Sequence, residues 1–314
     1  MNLLDVTKRF ESEDDALAFL EQMRWPNGVR CPICGCDRVS RITRKSPSKN
    51  KRTRIYQCLE PSCKQQFSAT NGTIFNDSHL PLTTWFAAIA LIVDAKKGMS
   101  AVQLQQHLGI GSYKTAWYLC HRIRKAMTDE FPTKLSGIVE IDETYIGGKA
   151  KRRRSKKTRA ELMAKKDMVI GMRERGGRVR FFHVPDAKKE TIKPLLDRHV
   201  AVETKRIVTD SAAVYPFAMD KVFKNKHRTV NHSTEWLRTE DIDVHTNTIE
   251  SAFSLLKRGI VGSFHRVSLK HLHRYLSEFE YRFNARMLPE RFTPTLARMA
   301  QTPLMPFREL VAKS

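Results

Sequence analysis

The chain has 314 residues, with 56 Lys and Arg against 33 Asp and Glu, a net charge of +23 and a pI near 10.0. Its 41% hydrophobic and 9% aromatic residues supply enough apolar material for packed cores, which excludes a mini-protein and a disordered tail. At roughly 150 residues per domain the length suits two units. A cationic surplus of this size repels itself unless it meets a polyanion, so nucleic acid is the expected partner, ahead of an anionic membrane surface.

The longest uninterrupted apolar run, Trp85 to Val93, falls far short of the roughly 20 residues a membrane span requires. Residues 1–15 offer neither a basic n-region nor an apolar h-region. The expectation is a cytoplasmic protein whose six cysteines are reduced.

Residues 1–28 read as an N-terminal helical segment, with Ala16, Leu17, Phe19 and Leu20 as the apolar part of a helix over Glu11 to Gln22. In 29–78 two cysteine pairs follow, Cys31 with Cys34 in CPICG and Cys58 with Cys63 in CLEPSC. Each pair suits a knuckle, and two knuckles supply the four thiolates of a tetrahedral zinc site. Pro32 and Gly35 add turn chemistry, and Cys36 reads as a bystander. The basic stretch at 41–54 is either a solvated insertion or a phosphate contact.

Residues 79–132 read as a helix-turn-helix-like segment: Ser100 as N-cap, a helix through Leu108, the turn Gly109-Ile110-Gly111, and a second helix capped by Ser112. Helical spacing puts Ala116, Leu119, Cys120, Ile123 and Met127 inside. Tyr113, Lys114, Tyr118, Arg122 and Lys125 then face outward, and Tyr113, Lys114, Arg122 and Lys125 are candidates for DNA contact. An ordinary helical hairpin with a wet basic face is the competing reading.

Between 133 and 290, GIVEIDETYIGG reads as a strand and MVIGMRERGGRVRFFHV as a hairpin turning at Gly176-Gly177. From Lys149 to Lys166 ten residues are Lys or Arg against the single acid Glu161, a stretch suited to clamp a phosphate backbone, with Lys151, Arg152, Arg153 and Arg154 as DNA-binding candidates. A helical piece near Thr191 to Val200 precedes a strand ending at Asp210. Two late helices follow, and the second puts Leu269, Leu272, Leu276, Phe279 and Phe283 on one packing face. Residues 291–314 read as a C-terminal tail.

Asp142 interrupts an apolar strand, where a lone carboxylate is costly unless it is paired or bound to a cation. Period-two geometry sends the adjacent Glu143 to the opposite sheet face, so the two are not expected to share a metal. Asp210 ends a second strand, 68 residues on, and Glu250 follows 40 later. Asn247, Glu250, Ser254 and Lys257 share the polar face of a helix whose other face carries Ile249, Phe253, Leu256 and Ile260. Two strand aspartates and a helix glutamate suit a pair of divalent cations for phosphodiester chemistry, magnesium with manganese as substitute. Lys257 is placed to touch DNA phosphate.

CPICG with the second knuckle and FSATNGTIF, VEIDETYIGGK, IVTDSAAVY, NHSTEW and HTNTIESAFSLLKRGIVGSFHRVSLKHLHRYLSEFEYRFNAR occur in an order that resembles the insertion-sequence transposases of the IS1595 family, ISXO2-like group, over roughly 28–290. The resemblance implies an α/β ribonuclease-H-like catalytic core, a mixed sheet with flanking helices, preceded by the zinc ribbon. It implies a DDE-type triad on Asp142, Asp210 and Glu250. In some branches an asparagine is the third member, and Asn247 matches that position. It implies a DNA transposase that binds terminal inverted repeats, cleaves at the element ends and joins the 3′ ends to target DNA, working as a homo-oligomer on double-stranded DNA. A DNA-binding regulator without catalysis, and a nuclease without strand transfer, are the alternatives.

Overall fold

The computed structural model describes residues 1–43, 53–129, 132–147, 167–212, 214–230 and 244–312. The DNA-binding candidates Lys151, Arg152, Arg153 and Arg154, most of the basic stretch at 41–54 and the NHSTEW segment lie outside the described residues. The chain divides into two compact units, Met1–Met127 with Leu288–Ser314, and Thr128–Met287.

The first unit opens with α1 (Leu3–Arg9) and α2 (Glu13–Arg24), capped by the side chains of Asn2 and Ser12. A three-stranded antiparallel sheet follows, β1 (Val39–Arg41), β2 (Tyr56–Cys58) and β3 (Gln66–Phe67). This sheet is too small to bury much, and Trp25, Tyr56 and Phe67 cover it with ring centroids 5.8–6.2 Å apart. Next come α3 (Leu82–Asp94), α4 (Ala101–Leu108) and α5 (Tyr113–Ala126). Phe10, Phe19 and Phe86 meet Phe292 at the centre. Phe292 belongs to the stretch read from sequence as a tail. That stretch instead carries two helices, Phe292–Gln301 and Phe307–Val311, and buries Leu296, Met299 and Leu310.

The outward face expected of α5 needs correction at three positions. Arg122 is 3% exposed, its guanidinium packed over the Trp85 and Tyr118 rings and donating to the Asn76 carbonyl. Lys125 donates to the Leu304 carbonyl at 3.1 Å, and the Tyr118 hydroxyl donates to the Met305 carbonyl. The acceptors come from Asn76 and from the segment that joins the two C-terminal helices, so a face that an isolated hairpin would leave wet is covered. Tyr113 and Lys114, at the start of the helix, remain exposed, and Cys120 is core.

The second unit is a three-layer α/β structure. Its mixed sheet has the order β6-β5-β4-β7-β8, built from β4 (Ile138–Ile146), β5 (Asp167–Glu174), β6 (Val179–Val184), β7 (Arg206–Asp210) and β8 (His227–Val230). The pairs β4–β5 and β5–β6 are antiparallel, whereas β4–β7 and β7–β8 are parallel. Both sheet faces are covered by helices, and the acids Glu140, Asp142 and Glu143 interrupt the largely apolar β4 between them. One face carries Val139, Ile141, Ile170, Met172 and Ile207 against α6 (Lys189–His199), α7 (Val214–Ala218) and α8 (Lys221–Lys226). The other carries Val169, Val179 and Phe181 against α9 (Asn247–Gly259) and α10 (Leu269–Ala285). Helix α9 buries Ile249, Phe253 and Leu256 and leaves Asn247, Ser254 and Lys257 exposed. Leu269, expected on the packing face of α10, is 58% exposed because it stands at the helix's first position, a turn ahead of the first core residue Leu272.

Candidate metal centres

In the first unit the chain turns tightly after each cysteine pair. The Gly35 amide donates to the Cys31 carbonyl at 2.9 Å, and the Lys64 amide donates to the Glu60 carbonyl at 3.0 Å. Both knuckles need a left-handed residue just after the second cysteine: Gly35 has φ +76° and Lys64 has φ +47°. Glycine meets that demand without strain at the first knuckle, and lysine bears it at the second.

These turns bring Cys31, Cys34, Cys58 and Cys63 together, with all four sulfurs within 4.8 Å of one another. The Sγ separations are 3.7 Å for Cys31–Cys63 and 3.6 Å for Cys34–Cys58. Four thiolates at a Zn–S distance of about 2.3 Å in a tetrahedron stand about 3.8 Å apart, so the cluster fits that ion. Cys36 lies outside the group, its sulfur 3.9 Å from a Glu60 oxygen.

In the second unit, β4 and β7 run parallel and their last Cα partners are Glu140 and Val208. Asp142 and Asp210 follow at the same distance along their strands. One carboxylate oxygen from each of Asp142, Glu143 and Asp210 lies within 4.8 Å of the others. The Glu143 amide donates to Asp142 Oδ1 at 2.8 Å and the Ala212 amide donates to Asp210 Oδ1 at 3.1 Å, so one oxygen of each aspartate is held from the backbone.

The presence of Glu143 corrects the expectation that it stands apart. Period two does send it toward the second face, where the buried Tyr215 hydroxyl donates to its Oε2. Beyond Glu140, however, β7 no longer pairs with β4. The edge is open there, and a long side chain from one face reaches the carboxylates of the other.

Burial, together with the charges of Glu143, Asp210 and Glu250, pushes the Asp142 carboxyl up to about 7, against the pull of the Glu143 amide. Burial also raises Glu143, opposed by the Tyr215 hydroxyl. Three carboxylates at this spacing repel one another and offer hard oxygen donors, a donor set suited to a divalent cation. Glu250 reaches the same region from α9. It is half-buried, lies outside the 4.8 Å group, and accepts from the Thr246 hydroxyl at 3.3 Å. Asn247, one turn earlier, is exposed.

Sequence reasoning missed Glu140, two residues before Asp142 on the same face of β4. It is fully buried. Its Oε1 takes Arg175 in a bidentate pair at 2.8 and 3.0 Å, with His245 Nδ1 at 3.4 Å. Its Oε2 accepts from the Thr248 amide, the Thr248 hydroxyl and the Ile249 amide at 2.8–2.9 Å. An acid at an interior position of the apolar run GIVEI was the available signal.

Among the described residues no helix is long and apolar enough to cross a membrane. Residues 134–284 match the model of the ISXO2-like transposase domain, and residues 11–66 match the transposase zinc-ribbon domain. A protein of Halobacterium salinarum described as an uncharacterized protein in transposable element ISH50 is 32% identical over 291 residues, covering 88% of this chain and 92% of the relative. No solved structure matches. The two domain matches fall in sequence order on the cysteine cluster and on the sheet that carries the acids, and the chain belongs to the IS1595 family of insertion-sequence transposases.

Proposed function

We propose that the chain is a DNA transposase that binds the terminal inverted repeats of an insertion sequence, cuts at the element ends and joins the 3′ ends to target DNA. The observation that carries this reading is the meeting of Asp142, midway along β4, with Asp210 at the end of the adjacent parallel β7, and with Glu250 near enough for its charge to act on Asp142. The mixed sheet with helices on both faces supports a ribonuclease-H-like core. The family supports the DDE assignment.

In this reading Asp142 and Asp210 would hold Mg2+ or Mn2+, each carboxylate being oriented by one backbone amide, that of Glu143 or of Ala212. A divalent cation held there would supply Lewis acidity, lowering the pKa of a water or 3′ hydroxyl and offsetting the charge on the leaving oxygen. Glu250 is the third acid, held by Thr246, because its charge is the one that α9 brings to the site, whereas Asn247 is neutral and exposed. Glu143, oriented by Tyr215, contributes a fourth carboxylate. Water attacks the phosphodiester at the element end and frees a 3′ hydroxyl. That hydroxyl then attacks a target phosphodiester, so two phosphoryl transfers share one site without a covalent enzyme intermediate.

The four cysteines hold Zn2+ and shape the ribbon for end recognition, with exposed Tyr113 and Lys114 at the start of α5 contacting DNA. Lys257, exposed on α9, contacts phosphate near the cut. Joining two ends in one event calls for more than one copy of the chain. The test is cleavage of labelled element-end DNA in Mg2+ by wild type, Glu250→Gln, Glu143→Gln and Asn247→Ala. Cleavage that disappears with Glu250→Gln and survives Asn247→Ala supports the assignment. Loss confined to Asn247→Ala moves the third role to Asn247, and binding without cleavage by wild type favours a regulator.

A further inference from the structure

We infer that Glu140 is a positioning residue for the acidic site: it caps α9 from the strand that carries Asp142, and so sets where α9 places Glu250. The inference rests on the reading of Glu250 as third acid. A helix begins with amides that need acceptors, and the N-cap side chain ordinarily supplies one. Here the N-cap is Thr246, which makes no side-chain cap bond. Its hydroxyl instead donates to Glu250 Oε1 at 3.3 Å. The Thr248 and Ile249 amides, which such a cap would serve, both go to Glu140 Oε2.

The exchange links two jobs. With Glu140 as acceptor for the helix start, Thr246 is available to hold the carboxylate one turn on. A carboxylate at a helix N-terminus also meets the positive end of the helix dipole. Arg175 compensates the buried charge on its other oxygen and ties back to the sheet, its amide donating to the Ile138 carbonyl at 2.8 Å. Arg173, the strand partner of Glu140, donates to the Thr248 carbonyl. The first turn of α9 is therefore pinned to β4 and β5 by Glu140, Arg173 and Arg175. Stability alone would be served as well by a threonine cap and an apolar strand residue, because a buried carboxylate is expensive to desolvate.

The experiment uses the full chain with Glu140→Gln, whose amide oxygen can serve the helix start or Arg175 but not both. The expected result is a 10- to 100-fold fall in the maximal cleavage rate, the range seen when partners behind a metal site are altered. KM for end DNA stays within about twofold, and the Mn2+ concentration for half-maximal rate rises. Thr246→Val and Thr246→Ser are the second pair, which leaves Glu140 and its bonds in place: the valine lowers the rate and the serine restores it. A wild-type rate and Mn2+ dependence in folded Glu140→Gln, or equal rates in the Thr246 pair, overturns the inference. If wild type itself cuts nothing, the functional reading fails separately. Calorimetric Mn2+ titration of wild type and Glu140→Gln then decides, and equal affinities overturn the positioning role.

Discussion

Gly171 lies opposite Asp142 in the β4–β5 ladder, and a Cβ added there would stand 2.6 Å from the Phe253 ring and 2.8 Å from Ile249. Helix α9 thus packs against bare backbone beside the first catalytic candidate, and the close approach needs glycine. Gly171→Ala requires the Phe253 ring and the end of the Ile249 side chain to give way in a packed core. The expected result is a stability loss of about 1–3 kcal/mol in urea unfolding, together with a cleavage loss larger than that of a core change far from the site. A variant with wild-type stability and cleavage would mean that the ring moves aside freely.

Asp142 makes the protein without divalent cations sensitive to pH. In the unfolded chain its carboxyl ionises near the ordinary value, whereas in the fold it holds its proton to about 7. Between those values the folded chain binds the extra proton, so this contribution to stability is present at low pH and is lost as pH rises through 7. Asp142→Asn is therefore expected to melt higher than wild type at pH 8 in EDTA, with the difference shrinking toward pH 5. In wild type, Mg2+ or Mn2+ raises the melting temperature more at pH 8 than at pH 5.5, because binding requires the ionised form. Equal increments at both pH values would contradict the assignment.

The sulfur spacing in the ribbon predicts one zinc per chain by atomic absorption. Cys58→Ser, at a buried ligand position, removes it and unfolds the small sheet, whereas Cys36→Ser leaves the zinc content unchanged. Loss of zinc on Cys36→Ser would move the ligand set.

Arg122 and Tyr113 separate packing from recognition on α5. Arg122→Ala empties a buried cation site over two rings and is expected to cost about 2–3 kcal/mol in unfolding, with weaker DNA binding only as the unit loosens. Tyr113→Ala and Lys114→Ala are expected to leave the melting temperature unchanged and to weaken binding of end DNA several-fold by fluorescence anisotropy. The opposite pattern would restore Arg122 as a DNA contact.

The elements with strong local signals were legible in the sequence. The knuckles, the hairpin at Gly176-Gly177, the Ser100 cap of α4 and the amphipathic face of α9 follow from spacing and turn chemistry within a few residues of chain, whereas Ser112 starts α5 without a side-chain cap bond. Contacts set by distant segments were not. Helical spacing alone gave Arg122 and Lys125 a wet face, because the groups that cover them lie at Asn76 and Trp85 for the first and at Leu304 for the second. The four-residue β8, HRTV, carries too little alternation to announce an edge strand. Glu143 followed the period-two rule and still joined Asp142 and Asp210, since where β7 stops pairing is a property of the sheet. Glu140 was hidden because its partners, Arg175 and the start of α9, are 35 and 108 residues away.

Strand transfer by pre-cut element ends tests the central claim most directly. Labelled end DNA with a free 3′ hydroxyl is incubated with target DNA and Mg2+, using wild type and Asp142→Asn proteins matched for end binding. The account predicts joint molecules from wild type, and a yield lower by on the order of a hundredfold or more from Asp142→Asn. Joint molecules from both at equal yield, or cleavage without any joining by wild type, would contradict it.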